Sequence, residues 1–370
     1  MSKYKVSLFE PMVGLKEKQY VLDCLKSNWI SSKGKYIEKF QDKFSQYTRA
    51  KHSISVINGT AALHLALLAI NVKKDDEVIV TSFTYVAPVN AIKYVEAKAV
   101  FIDVKLETSQ IDETILEKTI TKKTKALILP HLYGQSAEIE KIQKICKKKK
   151  IYLIEDCAEA FGCFFKKKHL GTFGEIGTFS FFGSKTITTG EGGMVITKNK
   201  KLADRIYKLK TQGVVKTKND YWHDIIGYNY RMTNICAAIG LAQLEKKDLI
   251  LKNKNKVFNI YNKFLDKKNI RMNLVIKDSI SSYWQIVIYL KNKKIRDNLR
   301  IFLEQNKIET RTTFPPVHTM PMYYKKKNVK LLPNTLTLSS TGICLPSGPL
   351  LKEKEIFFVC KLVNNFIKKF

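Results

Sequence analysis

No apolar run in the 370-residue sequence reaches the roughly 20 residues that a membrane-spanning helix requires. The opening stretch, MSKYKVSLFEPMVG, also lacks the apolar segment and small-residue cleavage site of a secretory leader. A cytoplasmic protein with no membrane partner is therefore expected. Cysteine is sparse: seven residues spread from Cys24 to Cys360, whose nearest pair, Cys157 and Cys163, has neither redox nor zinc-ligand spacing. They read as reduced structural thiols, and no metal site is expected. Acidic residues are few, 33 against 65 Lys+Arg, for a formal charge of +32. Such an excess raises nucleic acid as a partner. The lysines, however, fall in short clusters such as KICKKKK and MYYKKKN along the whole chain, without a helix-turn-helix, a zinc finger or an RNA-binding aromatic motif. A solvated lysine-rich surface accounts for them, and its charge would help draw in an anionic substrate.

What is present is ordinary for a folded chain: 45% hydrophobic and 26% charged residues, and a length suited to two domains. After an amphipathic helix near 14–27, a helix begins at Gly59 (GTAALHLALLAI). Then EVIVT reads as a strand, VNAIKYV as a helix and AVFIDV as a strand. A helix near Asp112–Ile120, the strand KALILP, a helix over Glu138–Lys148 and the strand IYLIED continue the alternation. Strands alternating with helices imply an α/β fold with parallel strands covered on both faces. Past about Ala242 the rhythm changes to a lysine-rich helix near 245–266, a strand in YWQIVIYL, a helix near Ile295–Gln305 and a closing helix. The expected division is a large domain over 1–245 and a smaller α+β domain over 246–370, with no internal repeat or low-complexity linker.

Four pieces carry chemistry. IYLIEDCAEAFG ends an apolar strand in Glu155 and Asp156, followed by Glu159, and the carboxyl ends of parallel strands are where α/β proteins place ligands. Any one of these acids could instead be a helix cap or a first-turn acid. NGTAALHLAL puts Gly59 and Thr60 at a helix N-terminus, where free N–H groups can hold a phosphate, although Asn-Gly before a helix also makes a plain turn and cap. Ser180 could add a hydroxyl to the same phosphate. Lys185, within SFFGSKTITTGEGG, sits in a segment too apolar and glycine-rich for a solvated lysine. Desolvation disfavours its ammonium form, and a neutral amine attacks an aldehyde. A phosphate anchor, an acid for a pyridinium proton and a nucleophilic lysine together describe a pyridoxal 5'-phosphate site.

The sequence resembles the DegT/StrS family of pyridoxal phosphate-dependent nucleotide-sugar aminotransferases. The likeness runs from NWISSKGKYIEKFQDKF through TSFTYVAPVNAI, EDCAEAFG, SFFGSKTITTGEGG and GYNYRMTNICAAIGLAQLE to HTMPMY. The resemblance implies a fold-type I transferase like aspartate aminotransferase, active as a homodimer with shared sites. It implies that Lys185 bonds the cofactor and moves protons, and that Asp156 pairs with the pyridine nitrogen. Glu159 would lie near the ring and its phenolic oxygen, and Gly59, Thr60 and Ser180 would cradle the phosphate. Tyr85 would stack on the ring, and Asn229 would reach the phosphate of the neighbouring subunit. By themselves Tyr85 is equally a core aromatic and Asn229 a turn residue. His318 resembles a position near the nucleotide-sugar pocket. His131, after a strand, fits either the border of the site or a hydrogen-bonded structural histidine.

Family members with histidine at the lysine position remove a sugar hydroxyl; Lys185 implies transamination. FFGSKTITTGEGGM and GYNYRMTNICAAIGLAQLE are most like members that use L-glutamate to aminate GDP-4-keto-6-deoxy-D-mannose to GDP-perosamine for surface polysaccharide such as O-antigen. UDP- or dTDP-linked keto sugars are the alternative substrates. GICLPSGPLL departs from the proline-tyrosine pattern common in relatives and bears on the sugar pocket. A non-catalytic regulator of the same fold would be expected to lose Lys185 or Asp156, and both are retained. A nucleic-acid binder would instead show steeply salt-dependent binding indifferent to cofactor.

Overall fold

The computed structural model describes residues 3–215, 221–326 and 331–370; the end of the MYYKKKN cluster lies outside them. Its centre is a seven-stranded sheet in the order His52–Val56, Gly193–Thr197, Ile176–Ser180, Tyr152–Asp156, Thr124–Pro130, Glu77–Thr81, Lys98–Ile102. Gly193–Thr197 alone runs against the others, pairing antiparallel with both of its neighbours. The expected parallel α/β sheet is present, and its two-residue side-chain period shows in the cores. Ile79, Leu127, Leu129 and Leu153 enter one core with Phe40, Phe44 and Leu241. Val78, Val80, Ala126, Ile128 and Ile154 enter the other, with the helix Gly59–Ala69 and with Ile206. Burial on both faces is why these strands read as continuous apolar runs.

A second sheet, all antiparallel, orders Arg271–Met272, Ile286–Tyr289, Gly342–Leu345 and Arg311–Thr312. The helices Lys247–Phe264, Lys293–Gln305 and Glu353–Ile367 supply Val257, Tyr261, Leu299, Leu303, Val359 and Val363 to its core. The chain start lies with this sheet: Val6 bridges Ile308, and the Leu8 N–H donates to Glu309 Oε2. A further apolar cluster joins Phe83, Leu132 and Tyr133 of the large sheet's loops to Trp284, Val287 and Cys344 of the small one. It brings the two sheets' side chains to one cavity. All seven cysteines are free thiols.

Two elements differ from expectation. The helix near Asp112–Ile120 is a single turn, Leu116–Thr119, because Asp112 Oδ1 accepts the Thr114 N–H and hydroxyl, a local bond that competes with helix. The strand in YWQIVIYL starts only at Ile286, because Tyr283 has φ 47° with its ring stacked on Phe258 at 3.8 Å.

The strand ends His52–Val56, Glu77–Thr81, Thr124–Pro130, Tyr152–Asp156 and Ile176–Ser180 all open toward one edge, followed within three residues by Asn58, Thr84, His131, Cys157 and Phe181. Phe44 packs beneath this edge against Phe40, Phe161, Phe179 and Phe181, with ring centroids 5.0–6.0 Å apart. Phe44→Ala should cost about 3–5 kcal/mol, read as a lower unfolding midpoint with secondary structure retained by circular dichroism below it.

Candidate active site

A cavity of about 420 Å³ opens at that edge, lined among others by Gly59, Thr60, Tyr85, His131, Asp156, Glu159, Ser180 and Lys185. The phosphate-holding part forms where strand His52–Val56 turns into the helix Gly59–Ala69. Asn58 caps that helix, its Oδ1 accepting the Ala61 N–H at 2.8 Å. The Gly59 and Thr60 N–H groups find no acceptor among the described residues. A Cβ on Gly59 would stand 2.7 Å from the Ser180 Cβ, so only glycine lets the helix start come this close to the strand that carries the hydroxyl. Unpaired N–H groups at a helix N-terminus beside two hydroxyls suit a phosphate.

Asp156 and Glu155 alternate at the end of one buried strand and so face different surroundings. Glu155 points into structure: Oε2 accepts the Gly171 N–H and the His131 Nε2–H, and Oε1 accepts the Phe173 and Gly174 N–H groups, at 2.7–3.1 Å. Burial alone would raise its pKa, but the His131 bond and charge and the Gly174 and Gly171 N–H groups outweigh that and hold it below the usual range. Cys157 Sγ lies within 4.8 Å of this pair, in a cluster whose carboxylate oxygens are already filled by N–H donors. His131 thus serves in both capacities left open, bonded to Glu155 and lining the cavity, with its Nδ1 unpartnered.

Asp156 lines the cavity with Oδ1 accepting the Ala158 N–H at 3.0 Å. Burial raises its pKa against the Ala158 N–H and the Lys185 and His131 charges, so a cationic N–H in the cavity would relieve it. Glu159, 6% exposed, accepts the Tyr133 N–H at 2.7 Å and stands 3.9 Å from Lys185 Nζ. Burial pushes its carboxyl up to about 7, against the pull of Lys185 and Tyr133. Burial likewise lowers the pKa of Lys185, opposed by Glu159 and Asp156.

Lys185 rides on the loop between the antiparallel strands Ile176–Ser180 and Gly193–Thr197. Its Nζ lies 4.1 Å from the centre of the Trp284 ring, and Trp284 Nε1–H donates to the Ser184 carbonyl at 2.7 Å. Lys254, 1% exposed, holds the Trp284 and Ser347 carbonyls at 3.1 and 2.8 Å, and burial lowers its pKa to about 7. Sequence reasoning missed Trp284, Lys254, Arg311 and Phe314. Lys254 left a signal: with Ile250, Val257 and Tyr261 it makes the buried stripe of its helix, where a lysine is out of place.

Two of the expected residues do not line this cavity: His318, expected near the sugar pocket, and Asn229, expected at the neighbouring subunit's phosphate rather than at this one. His318 is outside the cavity, fully buried, with Nδ1 2.6 Å from the Ser82 hydroxyl, which also accepts its backbone N–H. The extended Pro316 backbone turns the histidine inward behind Ser82. Asn229 is exposed, its Oδ1 accepting from Arg231, and it does not line this cavity.

The residues present fit pyridoxal 5'-phosphate: a helix N-terminus for its phosphate, Asp156 for its ring nitrogen, and a desolvated amine for its aldehyde. Comparison with known proteins agrees. Residues 11–364 match the DegT/DnrJ/EryC1/StrS aminotransferase family. The chain is 48% identical over 361 residues to a GDP-perosamine synthase of Escherichia coli O157:H7, covering 98% of each. It is 43% identical to one of Vibrio cholerae, covering 98% of this chain and 99% of that one. Among solved structures, Helicobacter pylori PseC, an aminotransferase involved in the biosynthesis of pseudoaminic acid, superposes with a TM-score of 0.93 at 27% identity, over 99% and 100% of the two chains.

Two measurements test the site. Borohydride trapping should fix cofactor mass on Lys185 in the native protein and none in Lys185→Ala. For Glu159, whose folded pKa is raised, a bound proton favours the fold: between pH about 4.5 and 7 the folded protein keeps a proton that the unfolded chain releases. Stability of the cofactor-free protein should therefore fall as pH rises through that window, and the fall should be shallower in Glu159→Gln.

Proposed function

Because the chain belongs to the DegT/DnrJ/EryC1/StrS aminotransferase family and is a pyridoxal phosphate-dependent transaminase of nucleotide-linked sugars, we propose that it converts GDP-4-keto-6-deoxy-D-mannose to GDP-perosamine. L-Glutamate is the amino donor and leaves as 2-oxoglutarate. The observation that carries this reading is the identity of 48% and 43%, over nearly whole chains, to two GDP-perosamine synthases, joined to a cavity that keeps Lys185 beside Asp156.

When bound, pyridoxal 5'-phosphate supplies an aldehyde that takes up the amino group and a ring that absorbs the electron pair released at carbon. The chain's own groups do the rest. Lys185 Nζ, kept easily deprotonated by burial, takes the proton from the donor's α-carbon and returns one at sugar C4. Asp156 holds a proton on the ring nitrogen. Gly59 and Thr60 N–H groups, with the Thr60 and Ser180 hydroxyls, fix the phosphate. Tyr85, which lines the cavity, would offer its face to the ring, and Glu159, 3.9 Å from Lys185 Nζ, would stand near the phenolic oxygen as a second titrating group next to the amine.

The proposed working form is a cytoplasmic homodimer serving surface-polysaccharide synthesis, with 1–245, apart from the chain start that joins the smaller sheet, as the cofactor domain and 246–370 as the smaller domain. In support of the dimer, Asn229 faces away from its own cavity and is preceded by Tyr221, Trp222, Ile225 and Ile226, all 40–91% exposed, an apolar stretch suited to a subunit contact that would carry Asn229 to the neighbouring phosphate.

The test supplies cofactor, glutamate and, separately, the GDP-, UDP- and dTDP-linked 4-keto-6-deoxy sugars, following 2-oxoglutarate and sugar mass. An amine product from the GDP sugar, absent with Lys185→Ala, is expected. Preference for another nucleotide would overturn the substrate and leave the transaminase.

A further inference from the structure

A second cavity, about 340 Å³, adjoins the first and shares Thr84, Tyr85, Arg311 and Phe314 with it. Its lining adds Arg300 and contains no carboxylate among the described residues. Arg300 comes from the helix Lys293–Gln305 and Arg311 from the strand Arg311–Thr312, so two different elements bring an arginine to one space. Neither guanidinium has an ion pair or hydrogen bond among the described residues. The Arg300 Nε–H is shut off from solvent with no acceptor among the described residues.

That arrangement is unfavourable as it stands. Arg311 is exposed and keeps its hydration, but the buried Arg300 Nε–H, a donor without an acceptor, loses its hydration for nothing. Arg296, on the same helix, shows the usual outcome: its guanidinium is satisfied by Asp297 and by the Ser339 and Gly342 carbonyls. An arginine fork is matched by paired oxyanion oxygens.

We propose that Arg300 and Arg311 form an oxyanion subsite for the diphosphate of the nucleotide sugar, whose sugar passes Tyr85 and Phe314 into the Lys185 cavity. This rests on the nucleotide-sugar reading above. The two negative charges of a diphosphate diester match two guanidiniums. A glutamate carboxylate offers the same oxygens with one charge, and it is the competing occupant.

The test titrates GDP, UDP, dTDP and GMP calorimetrically into the full-length protein and into Arg300→Gln, Arg311→Gln and Arg300→Lys, with circular dichroism as the folding control. Each glutamine variant should weaken the preferred diphosphate about 10- to 100-fold and shrink its advantage over the monophosphate, and Arg300→Lys should recover part of the loss. Equal losses for GDP and GMP, or no loss, would overturn the subsite, as would failure of every nucleoside diphosphate to bind the native protein. Weakened glutamate binding with GDP affinity kept would also overturn it, in favour of the carboxylate. A preference for UDP or dTDP with the same losses would support the subsite and overturn only the GDP assignment.

Discussion

The reactive amine of Lys185 must be kept out of water and still be able to change its protonation state, and the surrounding structure follows from that requirement. Water removal favours the neutral amine. The carboxylates of Asp156 and Glu159 and the face of Trp284 pull the other way, toward the ammonium. The result is a lysine whose pKa is lowered beside a glutamate whose pKa is raised to about 7. Neither group would behave this way on the lysine-rich surface that makes up so much of this chain.

Holding that balance takes structure that does no chemistry. Glu155 is next to Asp156 in sequence and is spent entirely on architecture, its two oxygens tying the 171–174 turn and His131 to the strand end. Asp156, one residue on, projects from the opposite side of the strand into the cavity. The period-two alternation of a strand thus divides structural and functional acids between neighbours. The small sheet contributes the opposite wall. Trp284 meets Lys185 from there, and Lys254, itself buried and donating to two backbone carbonyls, fixes the Trp284 backbone.

Much of this was legible in the chain. Continuous apolar runs separated by helical periodicity gave the parallel sheet, because strands covered on both faces must be apolar at every position. The helix start at Gly59, the acids ending IYLIED and the out-of-place Lys185 pointed to the strand end where the cavity opens, because local backbone geometry and strand termini dictate what can stand there. Within-segment competition was harder to read: Asp112 capping Thr114 reduced a helix to one turn, and Tyr283 delayed a strand.

By itself, then, the sequence determined the fold class and brought out the residues proposed to hold a phosphate, a ring nitrogen and an aldehyde, since each of these depends on a local motif at the end of its own strand. Only the tertiary structure decided which side chains from distant segments share the space. It brought Trp284, Arg311 and Phe314 to the cavity, buried His318 behind Ser82, and set Asn229 outside. The first of these placements comes from the packing of the two sheets through the Phe83–Trp284 cluster, against which Phe314 also packs, a long-range contact that no local spacing encodes.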